Sequence, residues 1–295
     1  MEIIIGTHTV TEELENIRVS DYLALKFPQL QSRKAVKKAL KKKLLLHNKN
    51  IALSGTYVKQ GDLFELLEEQ VTPPKIFPLG LEVLFEDEYL AVVFKPAGFP
   101  VSGNQYKTIH NALPHNLSSS QETDALNWPL PVHRLDAPTS GLLIIAKTHG
   151  ARIALGEMLA KKEIQKHYHA VVQGYFNTKG ILNTPIEGKK AESHLKTLSI
   201  SPSKLNGHLS LLELSPLTGR THQLRIHLSR LGHPIAGDKI YGKPGNTIGH
   251  KGLFLSAIAL EFIHPKTNEK IEIRVKHPAK FDSYLAREAR NATLE

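Results

Sequence analysis

Residues 133–147 read HRLDAPTSGLLIIAK, a polar turn that runs directly into an apolar segment. Residues 141–147 have the length and composition of a buried β-strand. The turn places the carboxylate of Asp136 at the mouth of that strand, beside an arginine, a proline and two hydroxyl groups. An isolated aspartate in a turn more often caps its own backbone than reacts. The surrounding segments must therefore decide what this carboxylate does.

Two further segments combine polar side chains as densely. Residues 166–170 read KHYHA, and residues 218–227 read TGRTHQLRIH, followed by GHPIAGD at 232–238. Taken singly, Tyr168 fits a core aromatic and Arg225 fits a surface charge on a helix. Three polar clusters interleaved with apolar runs favour one shared site.

Strand patterns dominate the chain beyond residue 80. Alternating or apolar runs predict strands at 81–85, 89–95, 141–147, 166–174, 195–200, 209–214, 254–263 and 270–275. Helices are predicted at 151–159 and after Thr221, which we expect to be an N-cap, with Gly232 as the stop. Residues 102–131 are polar and are predicted to form a long loop. Because strands and helices do not alternate regularly, we expect an α+β fold with a mixed, mainly antiparallel sheet.

The first 70 residues carry concentrated positive charge. No Asp or Glu occurs between residues 27 and 61, where Val36, Leu40 and Leu44 recur at helical spacing behind Ser32, the expected N-cap. The cations expected to face RNA are Arg33, Lys34, Lys37, Lys38 and Lys41. We predict a small basic α+β RNA-binding module over residues 1–70, a proline-containing linker over 71–80 and a larger domain over 81–295.

The whole composition limits the classes of function. The 295 residues carry a formal net charge of +10, which favours a polyanionic partner. The chain has no cysteine, which excludes disulfides, a thiolate nucleophile and Cys-ligated metals. No apolar run approaches the ~20 residues of a membrane span, and no signal-peptide pattern is present. We expect a cytoplasmic protein without membrane attachment, and a monomer as the default.

Cofactor and metal sites find little support. The sequence has no phosphate-binding glycine loop and no dinucleotide fingerprint, which disfavours a kinase, a phosphatase or a nicotinamide enzyme. Of 16 histidines, His167 and His169 share one face of a strand, whereas His222 and His227 lie five apart on a helix and point poorly for ligation. We therefore predict no cofactor and no metal. A metal-dependent hydrolase that uses these histidines remains a rival hypothesis.

The three polar clusters, in this order, resemble the RluA family of RNA pseudouridine synthases. Residues 133–147 resemble the family's signature, residues 81–101 its opening strands and residues 218–238 its closing block, so the likeness spans residues 81–278. The first 70 residues resemble the small RNA-binding module named for ribosomal protein S-four. This resemblance implies a pseudouridine synthase domain over residues 81–295.

The resemblance also implies an activity and roles for single residues. It implies isomerisation of selected uridines in structured ribosomal or transfer RNA to pseudouridine, without a cofactor and with the target base extruded. Asp136 would be the catalytic carboxylate, Arg225 its ion-pair partner and Tyr168 the aromatic beneath the base. Arg134 would help to displace the uridine. The other expected substrate contacts are His133, Thr139, Arg220 and His222.

Two positions depart from the family pattern. Ala137 follows the aspartate where the family usually has Arg, and Ser256 stands where it commonly has His. Ala137 leaves open a second hypothesis, a catalytically inactive RNA-binding or ribosome-assembly factor on the same fold. The sequence does not decide which RNA and which uridine are modified.

Overall fold

The structure is a computed structural model, and it describes residues 3–24, 26–27, 29–30, 32–68, 73–243 and 251–293. The chain divides into two compact units, Met1–Thr72 and Pro73–Glu295. Each unit has a hydrophobic core of its own.

Among the described residues of the N-terminal unit, two short helices and a four-stranded antiparallel sheet share one core. The elements are β1 (Ile4–Thr9), α1 (Val19–Tyr22), α2 (Arg33–Lys41), β2 (Leu45–His47), β3 (Asn50–Ile51) and β4 (Leu63–Leu67), with the strand order β1–β4–β2–β3. Ser32 caps α2 as predicted, because its Oγ accepts a hydrogen bond from the backbone N–H of Ala35 at 3.2 Å. The helix ends before the predicted Leu44, since Lys43 adopts a left-handed φ of 58°.

Helix α2 separates apolar and basic side chains cleanly. Val36, Ala39 and Leu40 are buried in the core of the N-terminal unit. The exposed cations on the other faces include Arg33, Lys34, Lys37, Lys38 and Lys41. A dense, solvent-facing positive charge is therefore built into this helix.

The larger unit is built around one mixed sheet. Its elements are β5 (Glu82–Glu86), β6 (Leu90–Lys95), α3 (Ile109–Asn116), β7 (Ala125–Pro131), β8 (Ser140–Thr148), α4 (His149–Lys161), β9 (Gln165–Gln173), β10 (Lys179–Leu182), β11 (Ser193–Ser203), β12 (Gly207–Pro216), α5 (Gln223–Arg230), β13 (Leu255–Ile263), β14 (Lys270–Arg274) and α6 (Lys280–Thr293). Among the described residues of this unit, eight strands run in the order β10–β11–β12–β9–β13–β8–β6–β5. Strand β14 joins β13 and β7 joins β8. Only the β13–β8 pair is parallel among these described strands, so the predicted α+β class and mainly antiparallel sheet are confirmed.

The position of strand β8 explains why residues 141–146 are uniformly apolar. All nine residues of this strand are buried. Leu143 and Ile145 belong to the core on one face of the sheet, and Leu142 and Ile144 belong to the core on the other. A strand covered on both faces needs apolar residues at every position rather than at alternate ones.

The prediction of a loop over residues 102–131 is wrong. This segment contains α3 and β7. Thr108 caps α3 by accepting from the N–H of Asn111 at 3.1 Å, and Ile109 and Leu113 enter the core. Pro114 inside the helix and the serines after it hide the helical pattern in the sequence, and burial of the apolar residues outweighs these unfavourable residues. Helix α6, which the sequence prediction missed, packs Phe281 and Tyr284 into the same core.

Residues 73–80 of the predicted linker form neither helix nor strand, and residues 71 and 72 lie outside the described residues. Phe77 and Leu79 pack against the core of the larger unit. The backbone N–H of Phe77 donates to the carbonyl of Asn111 at 2.9 Å. Residues 77–79 are thus anchored along the larger unit. In the described part of the chain, every helix is too short or too polar to cross a bilayer.

Candidate active site

The turn that carries Asp136 is fixed from below by a buried lysine. Lys95, fully buried at the end of β6, donates from Nζ to the carbonyls of Pro96, Ala137 and Thr139 at 2.9, 3.1 and 2.6 Å. Burial lowers the pKa of Lys95 to about 8, against the opposing effect of the Asp136 charge. Three carbonyl acceptors on one ammonium hold the loop and thereby set the position of the carboxylate.

Directly after the turn, β8 approaches β13 too closely for a side chain. Gly141 has a φ of +121°, and a Cβ at this position would lie 2.2 Å from the carbonyl oxygen of Ala257. Beside this contact, the buried Ser140 and Ser256 hydroxyl groups lie 3.1 Å apart. Ser256, one of the two departures from the family pattern, is therefore half of a buried hydroxyl pair.

Arg225 links two carboxylates. Its Nη1 donates to Oδ2 of Asp136 at 3.2 Å, while Nε and Nη2 donate to the two oxygens of Asp238 at 2.7 and 2.8 Å. The Arg225 side chain is 3% exposed and that of Asp238 is 0% exposed, whereas Asp136 keeps 19% of its side chain open. The predicted Asp136–Arg225 pair is thus brought together, with Asp136 as the accessible member.

Asp238 ends the GHPIAGD motif at residues 232–238, but the sequence pattern does not predict it as a site residue. Besides Arg225, it accepts hydrogen bonds from the backbone N–H groups of Ile240 and Tyr241 at 2.9 and 3.1 Å. Burial alone would raise the pKa of Asp238, but the hydrogen bonds from Arg225 and from these amides lower it overall. A buried carboxylate with four donors fixes the guanidinium in one orientation. The glycine-rich run before Asp238 was the available signal.

Helix α5 begins in a way that the sequence did not predict. The N-cap is His222, with a left-handed φ of 55°, and not Thr221. His222 makes no side-chain capping hydrogen bond, and the buried Gln223 holds the turn before the helix, because its Oε1 accepts from the N–H of Arg220 at 3.0 Å. His222 lies with Nδ1 3.0 Å from the Tyr241 hydroxyl and Nε2 3.8 Å from Oδ1 of Asp136.

Tyr168 stands on β9, paired with Leu214 of β12 and Ala257 of β13. Only 9% of the residue is exposed. Burial, together with the nearby Asp136 charge, raises the pKa of Tyr168 well above its usual value. The phenol therefore stays protonated at neutral pH, next to the accessible carboxylate.

A cleft of about 1040 Å³ opens over this arrangement. All eight site residues that the sequence placed in the larger unit line it, namely Asp136, Tyr168, Arg225, Arg134, His133, Thr139, Arg220 and His222. A second cavity of about 260 Å³ shares Arg134, Asp136, His222 and Arg225 with the cleft. The five cations predicted on α2 belong to the other unit.

The side chains predicted to contact the substrate differ in exposure and in whether they already have hydrogen-bond partners in the protein. Arg134 is exposed. Arg220 donates from Nε to the carbonyl of Lys190 at 2.9 Å, and the buried Thr139 hydroxyl has no hydrogen-bond partner among the described residues. His133 accepts from the N–H of Ile144 at 3.1 Å. Burial and the Lys166 charge lower the pKa of His133 to about 3, so this imidazole is neutral and held by the backbone.

His167 and His169, the two histidines considered as metal ligands, each have a different neighbour. His169 lies with Nδ1 2.7 Å from Nδ1 of His277, and His167 lies 2.9 Å from the hydroxyl of Ser215. Across residues 3–243 and 251–293, apart from the undescribed gaps, no three His, Asp or Glu side chains come close enough to hold a metal ion.

Comparisons with known proteins identify the family of the larger unit. A family model described as RNA pseudouridylate synthase matches residues 89–230. The ribosomal large subunit pseudouridine synthase D of Zymomonas mobilis is 32% identical, over 68% of this chain and 70% of that protein. The dual-specificity RNA pseudouridine synthase RluA of Haemophilus influenzae is 33% identical, over 66% of this chain and 93% of that protein.

A solved structure shows the same fold. The structure of human RNA pseudouridylate synthase domain containing 1 superposes with a TM-score of 0.57 at 24% identity, covering 72% of this chain and 87% of that one. The sequence relatives extend the likeness from fold to family. The chain therefore belongs to the RluA-type family of RNA pseudouridine synthases, and it isomerises uridines in RNA to pseudouridine.

Proposed function

We propose that Asp136 is the group that acts on the ribose of the target uridine. The observation that carries this proposal is its asymmetric setting. Oδ2 is held by Arg225, while the partly exposed carboxylate faces a cleft large enough for a nucleotide. Arg225 fixes the carboxylate in direction through a charge-assisted hydrogen bond. An oriented carboxylate suits attack on a sugar carbon, as in enzymes that cleave glycosidic bonds.

The proposed steps leave no net change in composition. The carboxylate attacks C1′ of the ribose, and the bond from C1′ to N1 breaks with its electrons on the uracil. The uracil turns, its carbon 5 bonds to C1′, and the carboxylate is released. Carbon 5 then loses its proton to water, and N1 gains one from water. Nothing is oxidised, so the chemistry asks for no redox cofactor.

Tyr168 is assigned to hold the detached uracil. A buried ring beside the carboxylate offers an apolar surface on which the base can turn. Its pKa, raised by burial and by Asp136, makes phenolate scarce at neutral pH. Of the two roles that a tyrosine can have here, packing against the base is therefore favoured over removal of the carbon 5 proton.

The target uridine reaches this cleft by extrusion from its helix, at a cost of a few kcal/mol. Arg134 is exposed and lines both the cleft and the smaller cavity. We propose that the Arg134 side chain fills the space that the extruded base leaves in the RNA helix. His222 and Arg220, at the start of α5, would contact the strand that enters the cleft.

Residues 1–70 are proposed as an RNA-binding module of the ribosomal protein S-four type, joined through residues 71–80 to the catalytic domain over 81–295. The exposed cations of α2 support this assignment. Changing both Lys37 and Lys41 to glutamine removes two phosphate contacts. The slope of log affinity against log salt then becomes shallower by about 1.4–1.8. An unchanged slope would exclude this face of α2 from RNA binding.

The RNA substrate is proposed to be ribosomal RNA, because the Zymomonas relative is named for the large ribosomal subunit. Ribosomal and transfer RNA transcripts with tritium at uridine carbon 5 test both activity and target. Wild-type protein is expected to release tritium to water from the ribosomal transcript, and Asp136→Ala is expected to release none. Release from transfer RNA alone would overturn the target, and release from neither would overturn the assigned activity.

A further inference from the structure

Lys166 is a cation that the proposed mechanism does not use. It lies on β9 two residues before Tyr168, so both side chains leave the same face of the strand, about 7 Å apart. Lys166 is half-buried and lines the same cleft as Asp136 and Tyr168. Burial lowers the pKa of Lys166. Lys166 lies near His133, and the Lys166 charge is one of the causes that lower the pKa of that imidazole.

Other buried or half-buried lysines of this unit are satisfied by the protein. Lys95 donates to three carbonyls. Lys147 pairs with Glu86 at 2.8 Å, and Lys280 donates to the carbonyls of Lys251 and Leu253 at 3.0 and 2.8 Å. By contrast, Lys166 forms no ion pair and no side-chain hydrogen bond with any residue that the structure describes. Partial burial of an ammonium group without a hydrogen-bond acceptor costs free energy, and an anion of a bound ligand would offset this cost.

We propose that Lys166 binds a phosphate group of the RNA strand next to the target uridine. This inference rests on the proposed function, in which the uracil lies on Tyr168 and the ribose lies at Asp136. Along β9, Gln165 is exposed, Lys166 is half-buried and Tyr168 is buried. Lys166 is therefore nearer to solvent than Tyr168, on the side of the base site where we expect the sugar–phosphate backbone to leave the cleft. An ammonium with three donors suits a phosphodiester at that point.

The test measures RNA binding in protein that cannot turn over. In an Asp136→Asn background, Lys166→Gln is expected to weaken binding of the substrate RNA about tenfold, the loss of one charge-assisted hydrogen bond. The slope of log affinity against log salt should fall by about 0.7–0.9, which corresponds to one phosphate. Lys166→Arg retains the charge and should restore the slope. The matched control is Lys161→Gln, the same charge change at a residue that is 63% exposed and paired with Glu157 outside the cleft.

Unchanged affinity and an unchanged salt slope in Lys166→Gln would overturn the phosphate assignment. So would normal affinity together with slower tritium release when Lys166→Gln is made in the otherwise wild-type enzyme, which would assign the ammonium to the detached uracil anion instead. Because affinity is measured without catalysis, failure here is distinct from failure of the proposed activity, which shows as absent tritium release by wild-type protein.

Discussion

Replacing Asp238 by asparagine tests how the site holds its arginine. The substitution keeps the size of the side chain but removes the charge, and it turns an amide N–H₂ group toward a guanidinium that also only donates. Arg225 then loses at least one of two hydrogen bonds of 2.7 and 2.8 Å, in a place where both side chains are nearly inaccessible to water. Its remaining contact, at 3.2 Å to Asp136, is the longest of the three and is not enough to fix the guanidinium.

The size of the effect follows from these contacts. Breaking a buried ion pair on one side costs about 3–5 kcal/mol of stability. If the freed guanidinium no longer meets Asp136, the carboxylate loses a charge-assisted hydrogen bond of about 1.5–3 kcal/mol. A loss of this size in the transition state lowers kcat about ten- to hundredfold. Asp238 lines neither cavity, so KM for RNA should change little.

The assay compares Asp238→Asn with Glu288→Gln. Glu288 is also a buried carboxylate of the larger unit, and its contacts are Ser203 and Arg287, away from the cleft. Urea unfolding should show that both variants are destabilised, and tritium release should show that only Asp238→Asn is slow. Normal kcat in a folded Asp238→Asn protein would refute the reasoning that Asp238 acts through Arg225.

Two further predictions concern stability. Gly141→Ala should lower the free energy of unfolding by at least about 2 kcal/mol, because its Cβ meets the Ala257 backbone at 2.2 Å. The control is Gly156→Ala, in a helix with open space around the new methyl group, which should be neutral or stabilising. Equal changes in the free energy of unfolding of the two variants would contradict this prediction. His133 binds a proton in the unfolded chain near pH 6.5 but in the folded protein only near pH 3. Wild-type stability should therefore fall by up to about 1.4 kcal/mol per pH unit more steeply than that of His133→Gln as pH drops from 6.5 to 4, and parallel urea-unfolding curves would exclude this role.

The parts of the fold predictable from sequence are those with strong local patterns. The uniform apolar run of β8, the hairpin β5–β6 and the Ser32 cap all depend on residues adjacent in the chain. Helix α3 was not predictable in this way. Its cap at Thr108 is ordinary, but the proline within the helix obscures the pattern, and only packing against the core reveals the element.

The residues of the site also differ in whether the sequence alone predicts their roles. Asp136, Tyr168 and Arg225 stand in dense polar motifs that the sequence displays, and the structure gathers them in one cleft. Asp238 and Lys166 stand at the ends of two of these motifs, but the motifs do not reveal what their side chains contact. The role of Asp238 depends on an arginine 13 residues earlier, and that of Lys166 depends on which acceptors the folded chain fails to provide. Both depend on tertiary contacts.

The Asp136 carboxylate is the centre of the proposed reaction, and single-turnover tritium release by Asp136→Asn tests its role most directly. The variant keeps the size of the side chain, and Asp282→Asn, at an aspartate 73% exposed, is the matched control. We expect Asp136→Asn to bind substrate RNA with near wild-type affinity and to release no tritium, while Asp282→Asn matches wild type. Tritium release by Asp136→Asn at the wild-type rate would contradict the central claim.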